Sequence, residues 1–174
     1  MRTLLGVLAA VVGLVLAVVL IGWRLPVKHH VSRQTTLRAA PESVFALVSR
    51  AADYPAWRTG VKRVELEPVA GGSQLARYRE FGGDGELPFE VTALEPDSRM
   101  VTRIADPKLP FGGTWTYEIS PISGGAALRI TEDGEVYNPI FRFISRFVMG
   151  HTRTIDRYLK DAATKLGGSG EIVD

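Results

Sequence analysis

NPIFRFISRFVMGHTRTIDRYLKDAATKL, residues 138–166, is the stretch whose spacing decides the fold. Asn138 is a helix-capping residue type, and Pro139 suits a first helical turn, where a missing N–H loses no helical partner. Ile140, Ile144, Phe147, Val148, His151, Ile155, Tyr158, Leu159, Ala162 and Leu166 then recur at three- and four-residue steps. That spacing predicts one apolar stripe along a single helix. Arg142, Arg146, Arg153, Arg157, Lys160 and Lys165 fall mostly off the stripe, and Gly167-Gly168 ends it. At ~1.5 Å per residue the helix runs roughly 40 Å and needs a large apolar surface to lie on.

The preceding segments supply that surface, because they read as successive strands. Residues 31–37 mix Val, Thr and polar side chains in the manner of a strand. Ala40-Pro41-Glu42 then opens a helix whose buried side is Val44, Phe45, Leu47 and Val48. Asp53-Tyr54-Pro55-Ala56-Trp57 reads as a turn or second short helix. Strand signals follow at 61–67, 73–81, 86–93, 99–105, 114–120 and 126–136, with turns at 68–72, 82–85, 95–98 and 123–125 and a longer loop at 106–113. The order predicts an α+β domain: a curved antiparallel sheet of about seven strands gripping the terminal helix.

At the other end, residues 4–23 carry no charge. As a helix they cover roughly 30 Å, the hydrocarbon thickness of a bilayer. Trp23 suits the membrane interface, and Arg24, Lys28, His29 and His30 follow in the headgroup region. A cleaved signal peptide is the competing reading, but the apolar run is too long for one and no small-x-small cleavage site follows it. The expectation is a retained single-span anchor through residue 28, a folded domain over 29–167 and a flexible tail over 168–174. Arg24, Lys28, Arg33 and Arg38 after the span, against Arg2 before it, favour a cytoplasmic-facing domain.

Twenty-one basic residues against 19 acidic leave a net charge of +2, without the basic, aromatic-interleaved stripe of a nucleic-acid surface. Absence of cysteine excludes disulfides, thiolate nucleophiles and Cys-based metal sites. No Gly-x-Ser-x-Gly elbow, His-Glu-x-x-His or Gly-Lys-Ser/Thr occurs, which disfavours activated-serine, zinc and nucleotide chemistry. Neither a metal nor any other cofactor is expected.

Ala40-Pro41-Glu42-Ser43-Val44-Phe45 leading to Asp53-Tyr54-Pro55-Ala56-Trp57 resembles the opening of SRPBCC domains. That superfamily includes START lipid-transfer domains, plant pathogenesis-related allergens and polyketide cyclase/dehydrase-like proteins. Residues 131–139, from Thr131-Glu132-Asp133-Gly134 to Pro139, are similar to bacterial members of the cyclase-like branch. The resemblance covers residues 31–166. It implies a helix-grip fold with an apolar cavity between sheet and helix, on a scaffold that hosts binders and enzymes alike.

Strand alternation places Trp115, Tyr117 and Ile119 on one inner face and Leu128, Ile130 and Glu132 on the next, with Leu87, Phe89 and Val91 beside them. Two polar residues share these apolar faces: Glu132 and His151. They are either a core pair satisfied locally or a ligand-holding, acid–base pair. The candidate ligand-binding set is His151, Glu132, Trp115, Tyr117, Phe89, Ile130, Phe147 and Ile155. Arg77, Arg79 and Glu80 are expected on the solvent face, and His29-His30 in a solvated linker. Three functions stay open: a membrane-tethered binder of a lipid, quinone or isoprenoid-like molecule, a cyclase/dehydratase-type enzyme using the same cavity, and a noncatalytic module for a membrane protein partner.

Overall fold

The computed structural model describes residues 2–68, 76–83 and 85–174. Helix α1 (Arg2–Arg24) precedes strand β1 (Lys28–Leu37), helix α2 (Pro41–Ser49) and a 3-10 turn (Ala51–Ala56). Strands β2 (Val61–Glu67), β3 (Ala76–Gly82), β4 (Gly85–Glu95), β5 (Arg99–Ile104), β6 (Phe111–Ile122) and β7 (Gly125–Val136) follow. They form one antiparallel seven-stranded sheet in the order β1-β7-β6-β5-β4-β3-β2. The expected turn beyond Pro68, the first residues of the strand expected at 73–81, and Asp84 lie outside the described residues. β6 begins at Phe111, so the loop expected over 106–113 is shorter. Gly112 and Gly113 pair with Glu135 and Gly134.

The terminal helix is not continuous. Asn138 does cap it, its side chain accepting from the N–H groups of Ile140 and Phe141. Helix α3 (Pro139–Ile144) then widens into a π turn (Ser145–Met149) and stops at Gly150, whose φ of 75° belongs to the left-handed region. Helix α4 (Arg153–Leu166) restarts after Thr152. A glycine takes that conformation at no steric cost, so the break sits where the chain has no Cβ.

The two halves of the expected stripe have different fates. On α4, Ile155, Tyr158, Leu159, Ala162 and Ala163 are buried against the sheet. On α3 and the π turn, Ile140, Phe141, Phe147, Val148 and Met149 are exposed. Phe147 therefore does not line the interior as expected; it faces outward. The tail is not free either: Gln34 and Val173 exchange backbone hydrogen bonds, and Thr35 donates to the carbonyl of Glu171 at 2.7 Å. These contacts cover part of the open edge of β1, which would otherwise present unpaired backbone groups.

Candidate functional site

The middle of the grip is built from aromatic rings. Tyr54 and Trp57 come from the 3-10 turn region, Tyr78 from β3, Trp115 and Tyr117 from β6, and Tyr158 from α4. Neighbouring pairs meet at ring-centroid separations of 5.1–6.5 Å, mostly edge to face. Such contacts add to the burial of large apolar surfaces. Burial pushes the phenols of Tyr78, Tyr117 and Tyr158 well above their ordinary range, and that of Tyr54 to about 12. All four are neutral at any physiological pH.

A charge pair lies among these rings. Arg58 donates to Glu80 at 2.5 Å, and its guanidinium stands 4.7 Å from the Tyr54 ring centroid and 4.8 Å from that of Tyr158. Burial is the largest single effect and works against the Arg58 charge, but the Glu80 carboxylate and the surrounding tyrosine oxygens together offset it and the pKa rises. Glu80 thus points inward with Tyr78, not to solvent as the run Arg77-Tyr78-Arg79-Glu80 suggested. Arg79 does take the outer face, donating to Glu67 at 2.5 Å and also to Glu86. The partly open pocket between β2, β3, β4 and α4 beside Arg58 is about 20 Å³, room for a water. The hollow expected beneath the helix is, at this central level, occupied by the rings themselves.

A second polar cluster sits on the inner face at the end of the sheet nearest α1. Glu132 takes the inner face that alternation predicted; it pairs in register with Trp115, and its carboxylate accepts from Trp115 Nε1 at 2.9 Å. Its other oxygen meets His29 Nε2 at 3.0 Å. An indole only donates, and a carboxylate only accepts, so His29 carries its proton on Nε2. The His29 ring stacks on His151 with centroids 4.0 Å apart and planes at 23°. Gly134 makes the room: a Cβ there would lie 2.2 Å from His29 Cε1 and 2.9 Å from Glu132 Oε1.

The two polar residues singled out by sequence, Glu132 and His151, are brought together, but through a third. β1 starts at Lys28 and not at residue 31, so His29 belongs to the sheet and not to a solvated linker. Alternation carried back from Leu37 through Thr35, Arg33 and Val31 reaches His29 on the same face and would have found it. Of the remaining candidates, Tyr117, Ile130 and Ile155 are fully buried core, whereas Phe89 and Trp115 are half-buried at its border.

The His151 pKa lies below its ordinary 6.5, with burial the largest cause; His29 and Arg146 lower it further and Glu132 opposes them. The folded site therefore keeps His151 neutral while the unfolded chain takes up its proton near 6.5. Stability falls as pH drops from that value toward the folded pKa, then levels off. We expect the thermal midpoint of His151→Phe to fall less than that of the wild type between about pH 7.5 and 5. Parallel curves would show that the imidazole is not held neutral.

Solved structures share this fold. The START superfamily protein from Mycobacterium smegmatis is 18% identical with a TM-score of 0.62, covering 79% of this chain and 97% of that one. The Zhui aromatase/cyclase of a Streptomyces species is 12% identical with a TM-score of 0.64, covering 80% and 93%. The di-domain ARO/CYC StfQ from the steffimycin biosynthetic pathway is 16% identical with a TM-score of 0.63; the match covers 80% of this chain and 51% of that longer one. Likeness at these identities establishes the fold. No curated protein matches the sequence. Residues 28–167, β1 to the end of α4, match the family model described as polyketide cyclase / dehydrase and lipid transport, and the chain belongs to that family.

Proposed function

We propose that this chain, anchored in a bilayer by α1, binds a hydrophobic small molecule of lipid, quinone or isoprenoid kind and holds its polar end on the His29–Glu132–His151 cluster. The observation that carries the reading is the position of that cluster. It is inward-facing, half-buried, bordered by Trp115, and only a few residues beyond the apolar helix. Helix α1 has a mean hydropathy of 3.2 over its most apolar window, none of it buried against the domain. A tether of this kind keeps the mouth of the grip where apolar ligands concentrate. Lipid transport in the family description points the same way. The π turn and Gly150, directly before His151, are where the backbone can change angle at least cost to admit a ligand. The basic residues after the span favour a cytoplasmic-facing domain.

Native mass spectrometry of the full chain after mild detergent extraction tests the proposal. We expect a bound apolar species that is lost in Glu132→Ala and His151→Phe while circular dichroism stays unchanged. A wild type that remains empty when supplied with membrane lipid extract, or variants carrying the same load, would overturn it.

A cyclase/dehydratase-type enzyme is the second reading, favoured by one observation. A neutral imidazole stacked on a carboxylate-held histidine is suited to moving a proton at a ligand carbonyl. A changed mass of the released ligand, present in the wild type and absent in His151→Phe, would select it.

A further inference from the structure

We infer that residues 139–149 form a second membrane contact, an amphipathic segment lying at the boundary between headgroups and acyl chains beside the point where α1 leaves the bilayer. The inference rests on the anchor reading of α1 and adds an element that the span itself does not require.

The depth of the segment is set by its packing on α1. Gly22 is the buried residue of that helix, and a Cβ there would fall 1.9 Å from the carbonyl oxygen of Pro139. Arg142, itself buried, donates to the Leu25 carbonyl at 2.8 Å and reaches that of Tyr137 at 3.4 Å. These bonds satisfy carbonyls beyond the helix end and tie α3 to the last turn of the span. Trp23, 67% exposed, marks that same turn as interfacial. α3 is therefore held at the level where the hydrocarbon ends.

At that level the segment exposes apolar side chains to the outside. Phe147 is 60% exposed and Val148 71%, with Ile140, Phe141 and Met149 nearby in the chain. Phe143 and Phe147 pack ring on ring at 5.0 Å, which links α3 to the π turn across the change in helical pitch. A soluble domain rarely leaves such a row uncovered. Two features select a lipid surface over a protein partner. The row is continuous with an apolar helix of membrane length, and residues 137–155 contain no acidic residue, while Arg146 and Arg153 are exposed. Apolar side chains dipping below the headgroups, with arginines among anionic phosphates, make an interfacial helix. The row directly precedes Gly150 and His151, so the mouth of the proposed site would open onto lipid.

The native chain has no cysteine, so single thiols can be placed without background. Leu14→Cys, Val148→Cys and Thr164→Cys full-length variants would be labelled with a nitrobenzoxadiazole dye and reconstituted in phosphatidylcholine/phosphatidylglycerol vesicles. Nitroxide lipids quenching at shallow or deep positions report depth. We expect loss of most emission at Leu14→Cys with the deep quencher and at Val148→Cys with the shallow one. Thr164→Cys, on the exposed side of α4, should lose little with either. Emission at Leu14→Cys unaffected by lipid nitroxides would remove the anchor reading, and this inference with it. Quenching at Leu14→Cys without quenching at Val148→Cys would leave the anchor standing and overturn the second contact, assigning the row to a second copy or a protein partner.

Discussion

Replacing Arg58 by Met is expected to destabilise the domain by about 3–5 kcal/mol, because it breaks a buried ion pair from one side. Both side chains of the Arg58–Glu80 pair are largely withdrawn from water, at 14% and 10% exposure. Around them stand Tyr54, Tyr78, Tyr117 and Tyr158, whose phenols are held neutral by burial. The guanidinium also lies over two of those rings, a contact that Met keeps sterically but not electrostatically. Arg58→Met/Glu80→Leu removes both charges and should recover most of the loss, since a buried ion pair and an apolar replacement of similar size are close in energy. Thermal melts of the detergent-solubilised full chain would read the single change as a drop on the order of 10 °C. A double variant as unstable as the single would show that Arg58 acts through packing and not through Glu80.

Tyr158→Ala is the second large effect, at about 3–5 kcal/mol. Tyr158 is 2% exposed and its ring touches those of Tyr54, Trp57, Trp115 and Tyr117. Truncation removes the ring by which α4 engages both the 3-10 turn region and β6. The neighbours are themselves large and rigid, so they cannot collapse into the space. A chemical-denaturation midpoint close to the wild type would mean that the rings repack and that the centre of the grip is plastic.

Strand alternation was legible residue by residue. Period-two reading puts Trp115, Tyr117 and Ile119 on one face and Leu128, Ile130 and Glu132 on one face of the next strand. The register that sets Trp115 opposite Glu132, Tyr117 opposite Ile130 and Ile119 opposite Leu128 comes from the fold. The buried half of the terminal stripe, Ile155 to Ala163, was equally readable from its 3.6-residue period. What failed to read were cases where local pattern admits two partners. Ile140, Phe147 and Val148 continue the apolar period without saying whether protein or lipid meets them. Gly150 lies within the pattern, and spacing alone does not show that it ends the helix. His29 looked like linker because a strand's first residue is fixed by its neighbour, here Gly134 and Glu132 more than a hundred positions away.

From its residues alone the chain determined a seven-stranded sheet, a C-terminal helix to fill it, and an apolar leader of membrane length, because each follows from periodicity within a dozen residues. Only the tertiary structure decided that Glu80 turns inward to Arg58, that His29 joins Glu132 to His151, and that the first half of the terminal stripe faces outward beside α1. The hydrophobic effect is non-directional, and a charge is stabilised by whatever the fold brings to it, so neither partner is written in the local sequence.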